Sequence, residues 1–169
     1  LAPFAQAAFS DVQSGSEFAQ YINDLSAKGV ISSGSYFYPR VNLTRGELAK
    51  ILVKAANLTI NNAGGQRFPD VPTSHTFFDY VATLSNRGTI RGYDDGTFRP
   101  NGNVSRGEFA KMVVGSFGFD INASGEGHFS YDVPTGSTFY SFVETLYNRN
   151  VVSGYNGTIN FGVNDPVTR

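Results

Sequence analysis

The chain repeats one pattern three times along its length. Two octapeptides are nearly identical, "LTRGELAK" at 43–50 and "VSRGEFAK" at 104–111, and the chain ends at "VTR", the start of a third copy. A second pattern, "FSDV" at 9–12, returns as "FPDV" at 68–71 and "SYDV" at 130–133. Such repetition restricts the fold strongly, because every unit must adopt the same local structure and bury its apolar surface against the other units.

Each unit contains the spacing of an amphipathic helix. Counted from the aspartate of the second pattern, apolar residues recur at the i, i+3, i+4 and i+7 positions of one helix face. In the second unit these are Phe77, Tyr80, Val81 and Leu84. The helix is expected to end at a residue that tolerates the left-handed conformation. The residues at that position in the three units are Gly29, Gly88 and Asn150.

A turn and a second helix follow in the same unit. The turn of the second unit reads "GYDDGTFRP", with the tight-turn pair Asp95-Gly96. Thr44 with Glu47, and Ser105 with Glu108, have the spacing of a capping box, which starts a helix. The chain is therefore predicted to be one domain, 1–169, built from helix–turn–helix repeats at 9–67, 68–127 and 128–169, the third incomplete. Since one hairpin cannot bury its apolar face alone, we expect a mainly α fold with pseudo-threefold symmetry.

Composition and motifs exclude several functional classes. The net charge of −1, from 13 basic and 14 acidic residues, gives no overall field for nucleic acid. There is no cysteine, and no apolar run reaches the roughly 18 residues of a membrane span, so membrane insertion is not expected. His75 and His128 do not have the spacing of metal ligands, and no catalytic or phosphate-binding motif occurs. We therefore predict a protein without metal, cofactor or enzymatic activity.

An arginine is repeated at the first turn of the second helix, where the helix dipole disfavours a cation. The three residues are Arg45, Arg106 and Arg169. In one interpretation, each guanidinium and the free backbone N–H groups beside it form a pocket for an anionic oxygen. In the other, each arginine pairs with a carboxylate of a neighbouring unit, such as Asp11, Asp70 or Asp132. Both interpretations remain open from the sequence.

The order "FPDV", "GTIRGYDDGTFRP" and "VSRGEFAK" resembles the S-layer homology motif, which runs F-x-D-V, G-I-x-x-G-Y-x-D-G-T-F-x-P and T-R-A-E. Three such motifs cover nearly the whole chain. The resemblance implies a secreted bacterial cell-surface module that anchors a surface protein to the cell wall. It implies a three-pronged spindle, with the first helices in a central three-helix bundle. The implied partner is a secondary cell-wall polysaccharide, often carrying a pyruvylated sugar, bound in grooves between the repeats.

The resemblance also implies roles for eight residues. The three arginines would hold the carboxylate of the pyruvate ketal. The three aspartates would lie near sugar hydroxyls, and two glycines would let the glycan approach the backbone. The implied glycan-binding residues are Arg45, Arg106, Arg169, Asp11, Asp70, Asp132, Gly29 and Gly88.

Several features depart from the family pattern, among them the turn "SSGSYFYP" of the first unit, which lacks the Asp-Gly pair, and "NGTINFGVNDPVTR" of the third, which lacks Phe-x-Pro. Gly46 and Gly107 stand where the family has alanine, although glycine is the weaker helix former by roughly 1 kcal/mol. The tryptophan that the family has early in the first helix is also missing, and a phenylalanine follows that position in each unit. The residues at the tryptophan position are Glu17, Thr76 and Thr138.

The sequence stops at Arg169, before the second helix of the third unit. An artificial boundary and proteolysis after arginine are two explanations. The third defines an alternative function: a structural subunit that self-assembles into an extracellular sheet or filament. In that homo-oligomer or polymer a neighbouring chain would cover the apolar seam of the third unit, for example with its segment "LAPFAQAAF" at 1–9.

Overall fold

The computed structural model describes residues 9–64, 67–123 and 127–169. Five α-helices alternate with turns in this part of the chain, and a short 3₁₀ helix follows them. Their bounds are α1 Ala19–Ala27, α2 Arg45–Ala55, α3 Phe78–Asn86, α4 Arg106–Phe117, α5 Tyr140–Asn148 and, for the 3₁₀ helix, Tyr155–Gly157. The described residues form isolated β-bridges and no named strand. The prediction of a mainly α fold is confirmed.

The helix boundaries follow the local signals in the sequence. Thr44 and Ser105 begin α2 and α4 with complete capping boxes, in which the side chains of Glu47 and Glu108 accept from the backbone N–H of the cap residue. The first helices α1, α3 and α5 have no such side-chain cap. The residues that follow their C-termini adopt positive φ, as predicted: Gly29 at 67°, Gly88 at 74° and Asn150 at 56°.

Three backbone hydrogen bonds join the units in a closed ring. The N–H of Leu43 donates to the carbonyl of Val167 at 2.8 Å, and the N–H of Val167 donates to Val104 at 2.9 Å. The N–H of Val104 completes the ring on the carbonyl of Leu43 at 3.0 Å. Each of these residues lies two positions before a motif arginine, so equivalent positions of the three units meet here. The end of the third unit thereby lies against the first.

The core is divided unequally among the repeats. One large cluster contains the buried residues of α2 and of the second and third units, including Phe98, Leu146 and Phe161. A smaller cluster around Phe9 and Ile22 belongs to the first unit alone. The main helix contacts join α2 to α3, α4 to α5, and α2 to α4. These contacts centre on the second helices, and the spindle with a central bundle of first helices stays a prediction.

Phe18 marks the uncovered side of α1. Its counterparts Phe77 and Phe139 pack against Gly46 and Gly107, at the start of the second helices. Phe18 itself is 60 % exposed. The segment 1–9 of another chain, predicted to cover the apolar seam of the third unit, lies outside the described residues except for Phe9, so its docking stays a prediction.

Candidate functional site

The three motif arginines lie at equivalent junctions between units. Each arginine backbone N–H donates to a carbonyl of the next unit: Arg45 to Gly102, Arg106 to Asp165 and Arg169 to Val41. Each guanidinium lies over a phenylalanine in the turn of that same unit. The ring partners are Phe98 for Arg45, Phe161 for Arg106 and Phe37 for Arg169, at 4.7, 4.3 and 5.4 Å from the centroid. The arginine at the helix start is therefore part of each junction.

Arg45 is held from several sides. Its Nε donates to the carbonyl oxygen of Phe98 at 2.8 Å, and its Nη1 donates to Glu108 Oε1 at 2.6 Å. The same carboxylate oxygen accepts the hydroxyl of Tyr93 at 2.9 Å. Burial raises the pKa of Tyr93; the positive charge of Arg45 opposes this and the hydrogen bond to Glu108 adds to it. Arg45 is only 6 % exposed, so its side chain holds the two units together and also places a positive charge at their junction.

The carboxylates that meet the arginines are glutamates. Arg45 pairs with Glu108, and Arg169 Nη1 lies 3.7 Å from Glu47 Oε1. Both glutamates are the capping-box residues of the neighbouring unit. The expectation that the ion-pair partners are the motif aspartates is wrong for the described ion pairs, because the aspartates are engaged elsewhere.

Arg106 has a different environment. Its Nε donates to the carbonyl oxygen of Phe161 at 2.7 Å and its Nη2 to that of Ser153 at 2.9 Å. The ring of Tyr155 lies 4.8 Å away. Within residues 9–64, 67–123 and 127–169, no carboxylate forms an ion pair with it.

The three motif aspartates tie the start of each unit to its turn. Both oxygens of each carboxylate accept a backbone N–H from that turn, at distances of 2.6 to 2.9 Å. The donors are Phe37 and Tyr38 for Asp11, Phe98 and Arg99 for Asp70, and Phe161 and Val163 for Asp132. We call this arrangement the turn anchor. It accounts for the repeated aspartate through the fold, and contact with sugar hydroxyls stays a prediction.

The electrostatics of Asp11 agree with this role. Its burial acts to raise the pKa, but backbone N–H groups of Phe37, Tyr38 and Asp11 itself, with the charge of Arg169, lower it below the ordinary value. A lowered pKa means that the ionised form is stabilised by folding. This contribution is present above the ordinary pKa and is lost as the pH falls through the folded pKa.

The predicted site residues are distributed over separate clefts. Arg45 lines one cleft, defined below. Asp11 and Arg169 line a second, of about 620 Å³, with Phe18, Pro39 and Arg40; we call it the Arg169 cleft. Gly29 lines a third, of about 420 Å³, between the ends of α1 and α2 and the start of α3. No atom lies within 4 Å of a Cβ built on Gly29 or Gly88, so the backbone is open at both.

The Arg45 cleft has the chemistry of an anion site. It is a cavity of about 170 Å³ lined by Arg45, Arg91, Lys111, Glu108 and aromatic rings. Three cations face one carboxylate, so its local charge is positive although the chain carries −1 overall. The rings are those of Tyr93 and Phe139. A positive, partly apolar cavity of this kind suits a carboxylate attached to a carbon skeleton.

Sequence reasoning missed most of this lining. Tyr93 belongs to the turn motif, which the sequence analysis identified. Nothing in the sequence indicates that its hydroxyl donates to Glu108. Lys111 repeats Lys50 in the octapeptide, and the pattern alone favours a solvent-exposed lysine at both positions. The other turns have Ser32 and Ser153 at the position of Arg91, and the place of Arg91 in the cleft depends on how the units pack.

Two further findings concern the described part of the chain. None of its helices has the length and hydropathy of a bilayer span. Its His, Asp and Glu side chains form no group of three that could hold a metal ion.

Comparison with known proteins connects this geometry to a family. The S-layer homology domain matches residues 8–49, 67–110 and 131–169. The chain is 30 % identical to the surface-layer 125 kDa protein of Lysinibacillus sphaericus, over 100 % of this chain and 15 % of that protein. It is 30 % identical to the cellulosome-anchoring protein of Acetivibrio thermocellus, over 72 % of this chain and 28 % of that protein. A third relative, at 28 % identity over 64 % of this chain and 20 % of its own length, is named an uncharacterized cell wall amidase of Bacillus anthracis.

These matches confirm the family prediction and the predicted location, a secreted protein at the bacterial cell surface. The chain spans between about a seventh and a quarter of the length of these relatives. The three family matches together cover well over half of the chain, in the order that the repeats predict. The chain belongs to the S-layer homology domain family.

Proposed function

We propose that this chain is a non-catalytic module that anchors a larger surface protein to the cell wall by binding an anionic wall polysaccharide. Relatives named as surface-layer and cellulosome-anchoring proteins support the anchoring role. The observation that carries the recognition mechanism is the Arg45 cleft, where Arg45, Arg91 and Lys111 surround a cavity of about 170 Å³. A carboxylated substituent, such as a pyruvate ketal, combines the negative charge and the carbon skeleton that this lining fits.

The cations of the cleft differ in burial and are therefore expected to differ in role. Arg45 is buried and already bonded to Glu108 and Phe98, so it presents a fixed charge at the base of the cleft. Arg91 is exposed and Lys111 is half-buried, so both can turn toward a ligand. The ring of Phe139 offers an apolar surface beside these charges. Binding is expected to weaken with salt, because exposed charges are screened over about 10 Å at 0.1 M ionic strength.

Removing the two mobile cations tests this mechanism. We expect the double substitution Arg91→Gln and Lys111→Gln to lower the affinity for immobilised wall polysaccharide about tenfold, since two partly exposed charge contacts are lost. Arg45 is unsuitable for this test because its burial would confound binding with stability. The measurement is retention on native polysaccharide and on polysaccharide whose carboxyl groups have been chemically reduced.

The matched control is Arg87→Gln with Arg149→Gln. Both of these arginines are exposed and neither lines the Arg45 cleft, while the net charge changes by the same amount. The control should bind as the original chain does, and neither double variant should change retention on the carboxyl-reduced polymer. An equal loss in both double variants would show nonspecific charge attraction and overturn the proposed site.

The alternative function is self-assembly through the uncovered face of α1. The exposure of Phe18, compared with the packed Phe77 and Phe139, favours it. A sedimentation coefficient that rises with protein concentration in the absence of glycan, and that no longer rises after Phe18→Ser, would support this alternative. A sedimentation coefficient that stays at the monomer value at every protein concentration would contradict self-assembly. Cell-wall anchoring would then be the one function proposed for the chain.

A further inference from the structure

The turn of the first unit displays two stacked tyrosines. Tyr36 and Tyr38 are 56 % and 54 % exposed, and their ring centroids lie 5.7 Å apart at an interplanar angle of 30°. Phe37 between them points into the core and is only 8 % exposed. The two rings therefore stand side by side on the surface, with the opposite face of each available. We call them the tyrosine pair.

The other units do not present aromatic rings at these positions. The counterparts of Tyr36 and Tyr38 are Thr97 and Arg99 in the second unit, and Asn160 and Gly162 in the third. The guanidinium of Arg99 lies 4.1 Å from the ring centroid of Tyr93 and forms an ion pair with Asp95. The side chain at this position of the second unit is therefore engaged within its own turn. The open tyrosine pair is thus a property of the first unit and is not imposed by the shared fold.

Tyr38 is held in a conformation that costs free energy. Its φ is +60°, in the left-handed region that glycine enters freely, and the equivalent residues Arg99 and Gly162 have φ of +59° and +71°. The turn anchor enforces this conformation, because Asp11 accepts the N–H groups of Phe37 and Tyr38, both at 2.7 Å. The shared turn thus fixes the backbone at this position, and in the first unit it places the Tyr38 side chain on the surface.

The size of the tyrosine pair limits what can bind. A tyrosine offers about 150–250 Å² in all, so two half-exposed rings present about 200 Å², well below the roughly 800 Å² per partner of a stable protein interface. One or two sugar rings match this area. The rings are uncharged and their apolar faces are open, which suits the C–H face of a neutral pyranose.

The surroundings connect the pair to a larger cleft. Pro39 and Arg40 follow Tyr38 directly and line the Arg169 cleft of about 620 Å³. Arg169 reaches the same turn, with its guanidinium 5.4 Å from the ring centroid of Phe37. A polymer chain stacked on the tyrosine pair would continue toward this cleft.

We propose that Tyr36 and Tyr38 form a stacking subsite for neutral sugar residues of the wall polysaccharide. This inference rests on the proposed glycan binding, but it concerns the uncharged part of the polymer, where the Arg45 cleft has no role.

The test replaces both tyrosines with residues that the other units carry. The variant Tyr36→Thr with Tyr38→Gly should fold as stably as the original chain or more so, because glycine suits the positive φ of position 38. We expect its affinity, measured by retention, to fall about tenfold on native wall polysaccharide and on carboxyl-reduced polysaccharide alike. As a matched control, Tyr131→Thr removes a 75 % exposed tyrosine of the third unit and should leave the retention on both polymers unchanged.

A second readout follows stacking directly. The chain has nine tyrosines and no tryptophan, so its emission reports on tyrosine alone. Adding carboxyl-reduced polysaccharide should change the emission of the original chain and of the Tyr131 control, with the change largely lost in the Tyr36/Tyr38 variant.

Each outcome decides between the two proposals. Equal retention of the Tyr36/Tyr38 variant, or no binding of carboxyl-reduced polymer by the original chain, would overturn the stacking subsite. A change in sedimentation of the variant without glycan would assign the pair to contact with a second copy and also overturn it. If the tyrosine effect appears and the Arg91/Lys111 effect does not, the anionic part of the proposed function fails and the stacking subsite stands.

Discussion

We expect the replacement of Gly46 with alanine to lower the free energy of unfolding by about 2 kcal/mol, although alanine is the better helix former. A Cβ at this position would overlap the ring of Phe77, which packs directly onto the glycine. Overpacking of this kind costs about 1–3 kcal/mol, and the severe overlap places it at the upper end. The gain in helix propensity, roughly 1 kcal/mol, offsets only part of that cost. The measurement is chemical denaturation of the two proteins.

A double-mutant cycle isolates the cause. Phe77→Ala alone loses packing, but combined with Gly46→Ala it removes the ring that the new methyl group meets. We expect a coupling energy of about 1–2 kcal/mol in favour of the double variant. Gly136→Ala serves as the control, because nothing lies within 4 Å of its built Cβ. Additive effects at Gly46 and Phe77 would contradict the packing argument.

This contact explains why glycine stands where the family has alanine. Gly107 meets Phe139 in the same way, at 2.7 Å from the built Cβ, so the arrangement occurs at two junctions. The phenylalanine that follows the missing tryptophan fills the space of the alanine methyl group. The glycine is therefore required by the packing of this phenylalanine, despite its weaker helix propensity.

Local signals in the sequence were sufficient for the helices. The capping boxes at Thr44 and Ser105 involve residues three positions apart, so their spacing alone predicts the geometry. Gly88 and Asn150 end α3 and α5 for an equally local reason, the tolerance of positive φ. Repetition extended these predictions to an assembly of similar units, and the equivalent residues Leu43, Val104 and Val167 meet in the hydrogen-bonded ring.

The contacts between units could not be predicted in the same way. Arg45 and Glu108 are 63 positions apart, and their ion pair depends on how one unit is rotated against the next. Arg91 enters the Arg45 cleft for the same reason. The aspartates show a different limit: their partners are backbone N–H groups, which every residue except proline has, so sequence patterns cannot distinguish a turn anchor from a ligand contact.

Asp70→Asn separates these two roles of the motif aspartate. In the turn anchor Asp70 accepts the N–H of Phe98 at 2.9 Å and of Arg99 at 2.6 Å, and Phe98 is fully buried. An asparagine keeps one acceptor oxygen and turns an NH₂ group toward the second N–H. Since hydrogen bonds to charged groups contribute about 1.5–3 kcal/mol each, we expect a loss of about 2–4 kcal/mol in unfolding free energy.

Thermal and chemical denaturation measure this loss, and Asp94→Asn, at an exposed position of the same turn, is the control. For a chain of this size the expected fall in Tm is roughly 5–15 °C. At a temperature where the variant is still folded, its affinity for wall polysaccharide should stay near that of the original chain, because both carboxylate oxygens already serve the fold. Unchanged stability with a large loss of glycan affinity would instead make Asp70 a ligand contact, as the family resemblance implied, and would reassign the repeated aspartate from architecture to recognition.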